Sequence, residues 1–318
     1  MNTLKERIQQ LKEEKNAVIL AHYYAPPEVQ EIADYIGDSF YLSKLAVNLD
    51  NPVLVFCGVS FMGESAKLLN PEKTVLMPDA SADCPMAHMV DKSVIDAARA
   101  QYDDLAVVCY VNSTAQIKSW SDVCVTSANA VKIVRRLPNQ HILFIPDRNL
   151  GHFVAEQVPE KHFLYNEGYC PRHEFMSAEE IAALKEEHPA AQILVHPECN
   201  SAITAMADYI GSTSGIIHYA GEHTDCREFI IGTVSGVIYK LKESRPDAQF
   251  YFPKTRPSCQ DMEQITLEQV AHVLETGENA VALPPETVSA QAKHTLEQML
   301  KHQFCSDVSI SFLLFVTS

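Results

Sequence analysis

The sequence predicts an α/β fold made of three successive units, each a small parallel sheet with helices on both faces. Three observations lead there. Apolar, β-rich runs that end in small polar residues alternate with helical stretches. The same order of elements recurs at intervals of 85–89 residues. The chain has 318 residues and is 47% hydrophobic, enough to bury several cores. Length alone divides into about two domains, so the period, not the length, sets the count at three.

The first strands read as Ala17–Tyr24, Ala106–Ser113 and Gln192–Asn200, and their polar ends align His22, Tyr110 and His196 at intervals of 88 and 86. A second series aligns Ser39, Ser127 and Ser212 at intervals of 88 and 85, each before a helical pattern. Third come strands at Val53–Gly58, His141–Pro146 and Phe229–Gly232. A loop then ends at Cys84, Cys170 or Cys259, at intervals of 86 and 89. Each unit is thus βαβαβ plus a cysteine loop. The units are placed at 1–86, 87–172 and 173–263. Helical stripes follow, Leu267, Val270, Val273 and Leu274, then Leu296, Met299 and Leu300 after Pro284–Pro285. These helices, 264–303, are expected to pack back on the first unit. An atypical tail, 304–318, carries the apolar run Phe312–Val316.

Composition narrows the function. Nine cysteines are too sparse for a disulfide scaffold, and an odd number leaves one unpaired. Met1–Asn16 is charged and amphipathic, so a secretory leader is not expected, and no apolar run approaches the ~20 residues of a membrane span. A cytoplasmic, reducing setting follows. A formal net charge of −16 argues against nucleic acid or an anionic membrane as partner. Small anions remain possible, because helix N-termini hold them without lysine.

Ligands of parallel α/β sheets bind beyond the carboxyl ends of the strands. The first strands end in polar pairs two residues apart: His22/Tyr24, Tyr110/Asn112 and His196/Glu198. Alternation along a strand would put both members of a pair on one face. One such pair is more simply a solvated edge; three in register with three cysteines favour a central site. Ser39, Ser127, Ser212 and Thr213 suit N-caps or anion contacts, with Ile210–Gly215 (IGSTSG) the best cradle. Gly58–Ser65 (GVSFMGES) has Walker-like spacing, but Glu64 stands at the lysine position and would repel phosphate.

Cys57, Cys109 and Cys124 fall inside apolar strands and read as core. Cys199 and Cys226 are ambiguous. Cys84 and Cys170 precede proline, and Cys259 sits in a similar loop (RPSCQ). The absence of C-x-x-C argues against structural zinc. Three spaced thiolates suit three irons of a 4Fe-4S cluster, with the fourth iron open as a Lewis acid. Three unrelated loop cysteines are the alternative.

These motifs together resemble the quinolinate synthase family. The resemblance runs from about Leu4 to Leu300 and rests on HYY at His22–Tyr24, GDS at Gly37–Ser39, VSFMGESAKLL at Val59–Leu69 and DCPMA around Cys84. YVNSTAQIKS at Tyr110–Ser119, VTSANA around Ser127, PDRNLG at Pro146–Gly151, CPRHE at Cys170–Glu174, VHPEC at Val195–Cys199 and GSTSG at Gly211–Gly215 complete it. The resemblance implies three pseudo-threefold-related αβα domains around a central active site. The implied reaction condenses iminoaspartate with dihydroxyacetone phosphate to quinolinate, phosphate and water. It implies one 4Fe-4S cluster on Cys84, Cys170 and Cys259, and coupling to an aspartate oxidase or dehydrogenase that supplies iminoaspartate. Tyr24, His22 and Glu198 match proton-transfer residues, and Tyr110 and Asn112 match residues facing substrate near the cluster. Ser39, Ser127, His196, Ser212 and Thr213 match those holding carboxylates and phosphate, and His173 matches another cavity residue. Ser60, Val234 and the segment CQDMEQITL depart from the pattern, at positions where histidine, glutamate, and asparagine with lysine are common. Two rivals make different predictions: a cluster-free sugar-phosphate enzyme using His196/Glu198, active without iron, and a non-enzymatic iron–sulfur sensor, which would hold a cluster without turnover.

Overall fold

The computed structural model describes residues 3–255 and 258–304. It contains three four-stranded parallel sheets, one per unit. The first comprises β1 (Ala17–His22), β2 (Tyr35–Gly37), β3 (Val53–Cys57) and β4 (Thr74–Leu76). The second comprises β5 (Leu105–Tyr110), β6 (Val123–Val125), β7 (His141–Ile145) and β8 (His162–Tyr165). The third comprises β9 (Gln192–Val195), β10 (Tyr209–Ile210), β11 (Glu228–Gly232) and β12 (Gln249–Tyr251). The orders β2-β1-β3-β4, β6-β5-β7-β8 and β10-β9-β11-β12 are one topology three times over.

The fourth strand of each sheet goes beyond the expected βαβαβ. It is only three or four residues long and lies at the sheet edge, so it has no apolar run to announce it. Each of these strands leads the chain to its cysteine. β1 and β5 are buried along their whole length, which explains their continuous apolar reading. In the first sheet, Val18, Leu20, Leu54 and Phe56 join a core that runs through all three units. The alternate residues Ala17, Ile19, Ala21, Val55 and Cys57 face outward, under the helices Leu4–Lys15 and Leu267–Thr276.

Local chemistry sets the helix ends. Thr3 and Glu6 form a capping box on the first helix, and Asn16 ends it in the left-handed region. Thr266 and Gln269 form another box, and Gly277, at φ 72°, closes that helix. The two C-terminal helices divide. Leu267–Thr276 packs on the first helix and β3. Glu286–Phe304 instead lies chiefly on the helix Ala115–Ser119 and β6 of the second unit, and also touches the helix Ser60–Leu69. The expectation that both return to the first unit is therefore corrected for the last helix: its buried Ala292, Leu296 and Met299 belong to the shared core. The tail from Cys305 onward lies outside the described residues. Among them, no helix is long and apolar enough to cross a membrane.

Polar ties join the units in a ring. Glu64 Oε2 accepts from the Ala115 amide (3.0 Å), which explains its place in the rejected Walker-like segment. Asn149 Nδ2 donates to the Glu198 carbonyl (3.0 Å), and Ser214 Oγ donates to Asp38 Oδ2 (2.5 Å). Each tie crosses between different units, so the carboxyl ends of the three sheets converge.

Candidate active site

In each sheet the chain reverses direction between its first and third strands, and a parallel sheet leaves a crevice at such a point. His22 ends β1, Tyr110 ends β5, and His196 lies one residue past β9. Tyr24, Asn112 and Glu198 then fall in the turns beyond, so strand alternation does not bring the pairs together as expected. A turn does so in two units. The Tyr24 amide donates to His22 Nδ1 (3.2 Å), and the Glu198 amide donates to His196 Nδ1 (3.3 Å). Both imidazoles therefore keep Nδ1 as acceptor and carry the proton on Nε2. That of His196 donates to Ser127 Oγ of the second unit (3.1 Å). Burial pushes His22 down to about 3, helped by His196 and opposed by Glu198. Burial likewise lowers His196 to about 4. At neutral pH both rings are neutral donors.

The second-strand loops divide differently from the expected capping. Ser212 is an N-cap, accepting from the Gly215 amide (3.1 Å), and leaves the cavity wall to Thr213. Ser39 is the first helical residue, and Asp38 caps that helix by accepting from Tyr41 (2.9 Å). Ser127 precedes Asn129, the N-cap of its helix. Ser39, Ser127 and Thr213 thus line the cavity.

All the predicted site residues except Ser212 line one cavity. Glu198, 3% exposed, faces His173 Nδ1 at 2.7 Å and His196 Nδ1 at 3.5 Å. Burial alone would raise its carboxyl; the two imidazoles outweigh burial and hold it low, as a carboxylate. Burial and that carboxylate keep Tyr24 and Tyr110 protonated, far above the usual phenol range. The Tyr24 hydroxyl sits 2.8 Å from both Thr213 Oγ1 and Thr233 Oγ1. Asn112 Oδ1, Thr126 Oγ1 and Glu198 Oε1 are buried in this wall without hydrogen-bond partners, which points to a polar ligand.

Cys84, Cys170 and Cys259 share the wall, and each stands at the N-cap of a short helix. Proline at the next position starts the first two helices. Burial raises the thiols, Cys259 to about 11 and the other two further, and the nearby first-turn backbone amides oppose that rise. Charge on Cys84 is felt by Cys170, and charge on Cys259 by Cys84. Three half-buried cysteines from three units, each at the start of a short helix, fit a thiolate-ligated iron–sulfur group. A second group, Cys170, His173 and Glu198, offers ligand atoms within 4.8 Å of one another and shares Cys170 with that set.

The family model described as Quinolinate synthetase A protein, NadA, matches residues 6–301. The chain belongs to the quinolinate synthase family. The quinolinate synthase of Clostridioides difficile (strain 630) is 48% identical over 295 residues, covering 93% of this chain and 96% of that protein. That of Fusobacterium nucleatum subsp. nucleatum is 49% identical over 298 residues, 94% and 99% of the two chains. That of Caldicellulosiruptor saccharolyticus is 45% identical over 296 residues, 93% and 97%.

Within this quinolinate synthase fold the departures find local roles. Ser60 donates to Asp83, the neighbour of Cys84, which also meets His88 at 2.7 Å. Val234 packs its buried side chain into the cavity wall. Gln260 accepts from Arg172 (3.3 Å), and Met262 lines the cavity. Sequence reasoning missed Asp147 and Thr233, which follow the third strands β7 and β11. Asp147, at φ 66°, accepts from the Leu150 amide (2.7 Å) and the Cys170 amide (2.9 Å). The rule that singled out the first-strand ends applies equally to third-strand ends, and would have found both. Arg172 also lines this wall; nothing in CPRHE distinguished it from a surface arginine.

Proposed function

We propose that this chain condenses iminoaspartate with dihydroxyacetone phosphate to quinolinate, phosphate and water, in the cytoplasm, with a 4Fe-4S cluster held by Cys84, Cys170 and Cys259. The observation that carries the proposal is the convergence of those three cysteines with Glu198, Tyr24 and three neutral-donor loops on one cavity. The bound cluster would supply a Lewis-acidic iron with an open coordination position.

The chain's own residues do the rest. Glu198 is an ionised acceptor with one free oxygen, suited to removing a proton from carbon or nitrogen. Tyr24 and Tyr110 are kept protonated and suited to giving protons to leaving oxygens. His22 and His196 offer neutral N–H donors, and Ser39, Ser127 and Thr213 offer hydroxyls, to carboxylates and phosphate. These groups bind anions without a lysine that would form a Schiff base with the ketone; Arg172 is the cation of the cavity lining among the described residues. An enzyme that oxidises aspartate to iminoaspartate is the matching partner.

Anaerobic purification with iron, sulfide and quinolinate assays tests this. About four irons and four sulfides per chain, lost in Cys84→Ser, with quinolinate formed from the two substrates, is the expected result. Full turnover in iron-free protein would favour the cluster-free enzyme. A full cluster with no turnover would favour the sensor.

A further inference from the structure

Asn149 is the second residue of the helix Arg148–Gln157 and stands outside the lining of the central cavity. It faces a separate cavity behind the Glu198 turn, together with Glu174, Cys199 and Asn200. Its Nδ2 donates to the Glu198 carbonyl of the third unit (3.0 Å) and to Glu174 Oε2 (2.7 Å). A backbone carbonyl only accepts, so the amide must present its nitrogen here, and both of its protons are then used. Glu174 is the last residue of the short helix Pro171–Glu174, whose N-cap is Cys170. It is held on every side. Its other oxygen meets Arg148 Nη2 at 2.5 Å, its amide donates to the Cys170 carbonyl (2.9 Å), and its carbonyl accepts from Asn200 Nδ2 (2.9 Å). Asn149 and Asn200 thus fasten the Glu198 turn to the Cys170 helix. The groups so placed are close, since Cys170 and Glu198 offer atoms within 4.8 Å of one another. At such range a misplacement approaching 1 Å costs up to ~100-fold in rate.

We infer that Asn149 is a positioning residue that fixes where the Glu198 carboxylate stands relative to Cys170, by holding the Glu198 carbonyl and the Cys170 helix with one amide. The inference rests on the proposed reaction for its turnover readout only.

The test compares iron-loaded wild type, Asn149→Asp, and Asn149→Asp combined with Glu174→Gln. Asn149→Asp keeps the shape and loses both donors. In the double variant the new amide at position 174 can donate to the new carboxylate at position 149, which remakes the tie to the helix. Nothing at position 149 can then donate to the Glu198 carbonyl. Asn149→Asp should lower kcat roughly 10- to 100-fold, with KM within about 3-fold, and lower the unfolding midpoint by at least about 2 °C. The double variant should recover at least about half of the midpoint loss and keep kcat within about 3-fold of Asn149→Asp. Wild-type kcat in Asn149→Asp, or a kcat that recovers with the midpoint, would overturn the inference. A midpoint that does not recover would overturn the two-ended tie. If the wild type forms no quinolinate, the proposed reaction falls by itself, and hydrogen exchange judges Asn149. The Glu198 and Cys199 amides, bonded to His196 Nδ1 (3.3 Å) and the His196 carbonyl (3.0 Å), should exchange at least about 10-fold faster in both variants, with β1 at its wild-type rate. Unchanged exchange in that turn, or an equal rise in β1, overturns the inference.

Discussion

Gly236 sits in the turn after β11, where its backbone meets the Tyr24 turn of the first unit. A Cβ built at Gly236 would lie 2.7 Å from Tyr24 Cα and 2.9 Å from its carbonyl carbon and oxygen. These are backbone atoms, so no side-chain rotation relieves the contact in Gly236→Ala. Ordinary contact begins near 3.4 Å, so one backbone must retreat by about 0.7 Å. Gln30 resists that movement, because its Nε2 donates to Ala25 O (2.7 Å), Tyr23 O (3.0 Å) and Gly236 O (3.3 Å). Carried to the phenol, the same shift would stretch its 2.8 Å bonds to Thr213 and Thr233 to about 3.5 Å, beyond useful hydrogen bonding. Overpacking of this kind costs about 1–3 kcal/mol of stability. A misplacement approaching 1 Å costs up to ~100-fold in rate. Gly236→Ala should therefore lower kcat for quinolinate formation roughly 10- to 100-fold, and lower the unfolding midpoint by at least about 2 °C, with iron content unchanged. Chromatographic quinolinate assay and a thermal melt measure both. A variant with wild-type kcat and midpoint would refute the close approach.

Glu198→Gln keeps the shape of the side chain but removes the base; kcat should fall by ~10²–10⁴ with the cluster retained, and near-normal turnover would remove Glu198 from proton transfer. Asp147→Ala should leave the Cys170 amide without its acceptor and release iron to a chelator faster than wild type; equal release rates would show that Asp147 does not hold that loop. Stability should fall as pH drops from 6.5 toward about 4, because His22 and His196 are held near 3 and 4 and the unfolded chain takes up protons that the folded chain refuses. The loss is up to about 1.4 kcal/mol per pH unit for each group. It should be absent above pH 7 and shallower in His22→Gln; a midpoint constant from pH 7 to 4.5 would refute the buried neutral rings.

Much of this protein was legible before its coordinates. The period of unit-sized segments was visible because the first strand of each unit is buried over all or most of its length and is therefore largely apolar. The three cysteines stood out because each occupies one place in that period, and proline marks two of them. The short fourth strands were invisible because three edge residues carry no pattern. The last helix was assigned to the wrong neighbour because an apolar stripe states that a face is buried, not against what.

The amino-acid order alone determined the three α/β units, the residues at the first-strand ends and the cysteine set, since periodicity and strand-end chemistry are local properties. Tertiary structure decided what those residues do to one another. Whether Glu198 stays ionised depends on His173 and His196 beside it, and whether Tyr24 stays protonated depends on burial and that charge. Asp147 and Thr233 acquired roles only when Cys170, His173 and Tyr24 arrived within hydrogen-bond reach. Hydrogen bonding and desolvation act over a few ångströms in space, and for Thr233 and Tyr24 those ångströms join residues 209 positions apart in the chain.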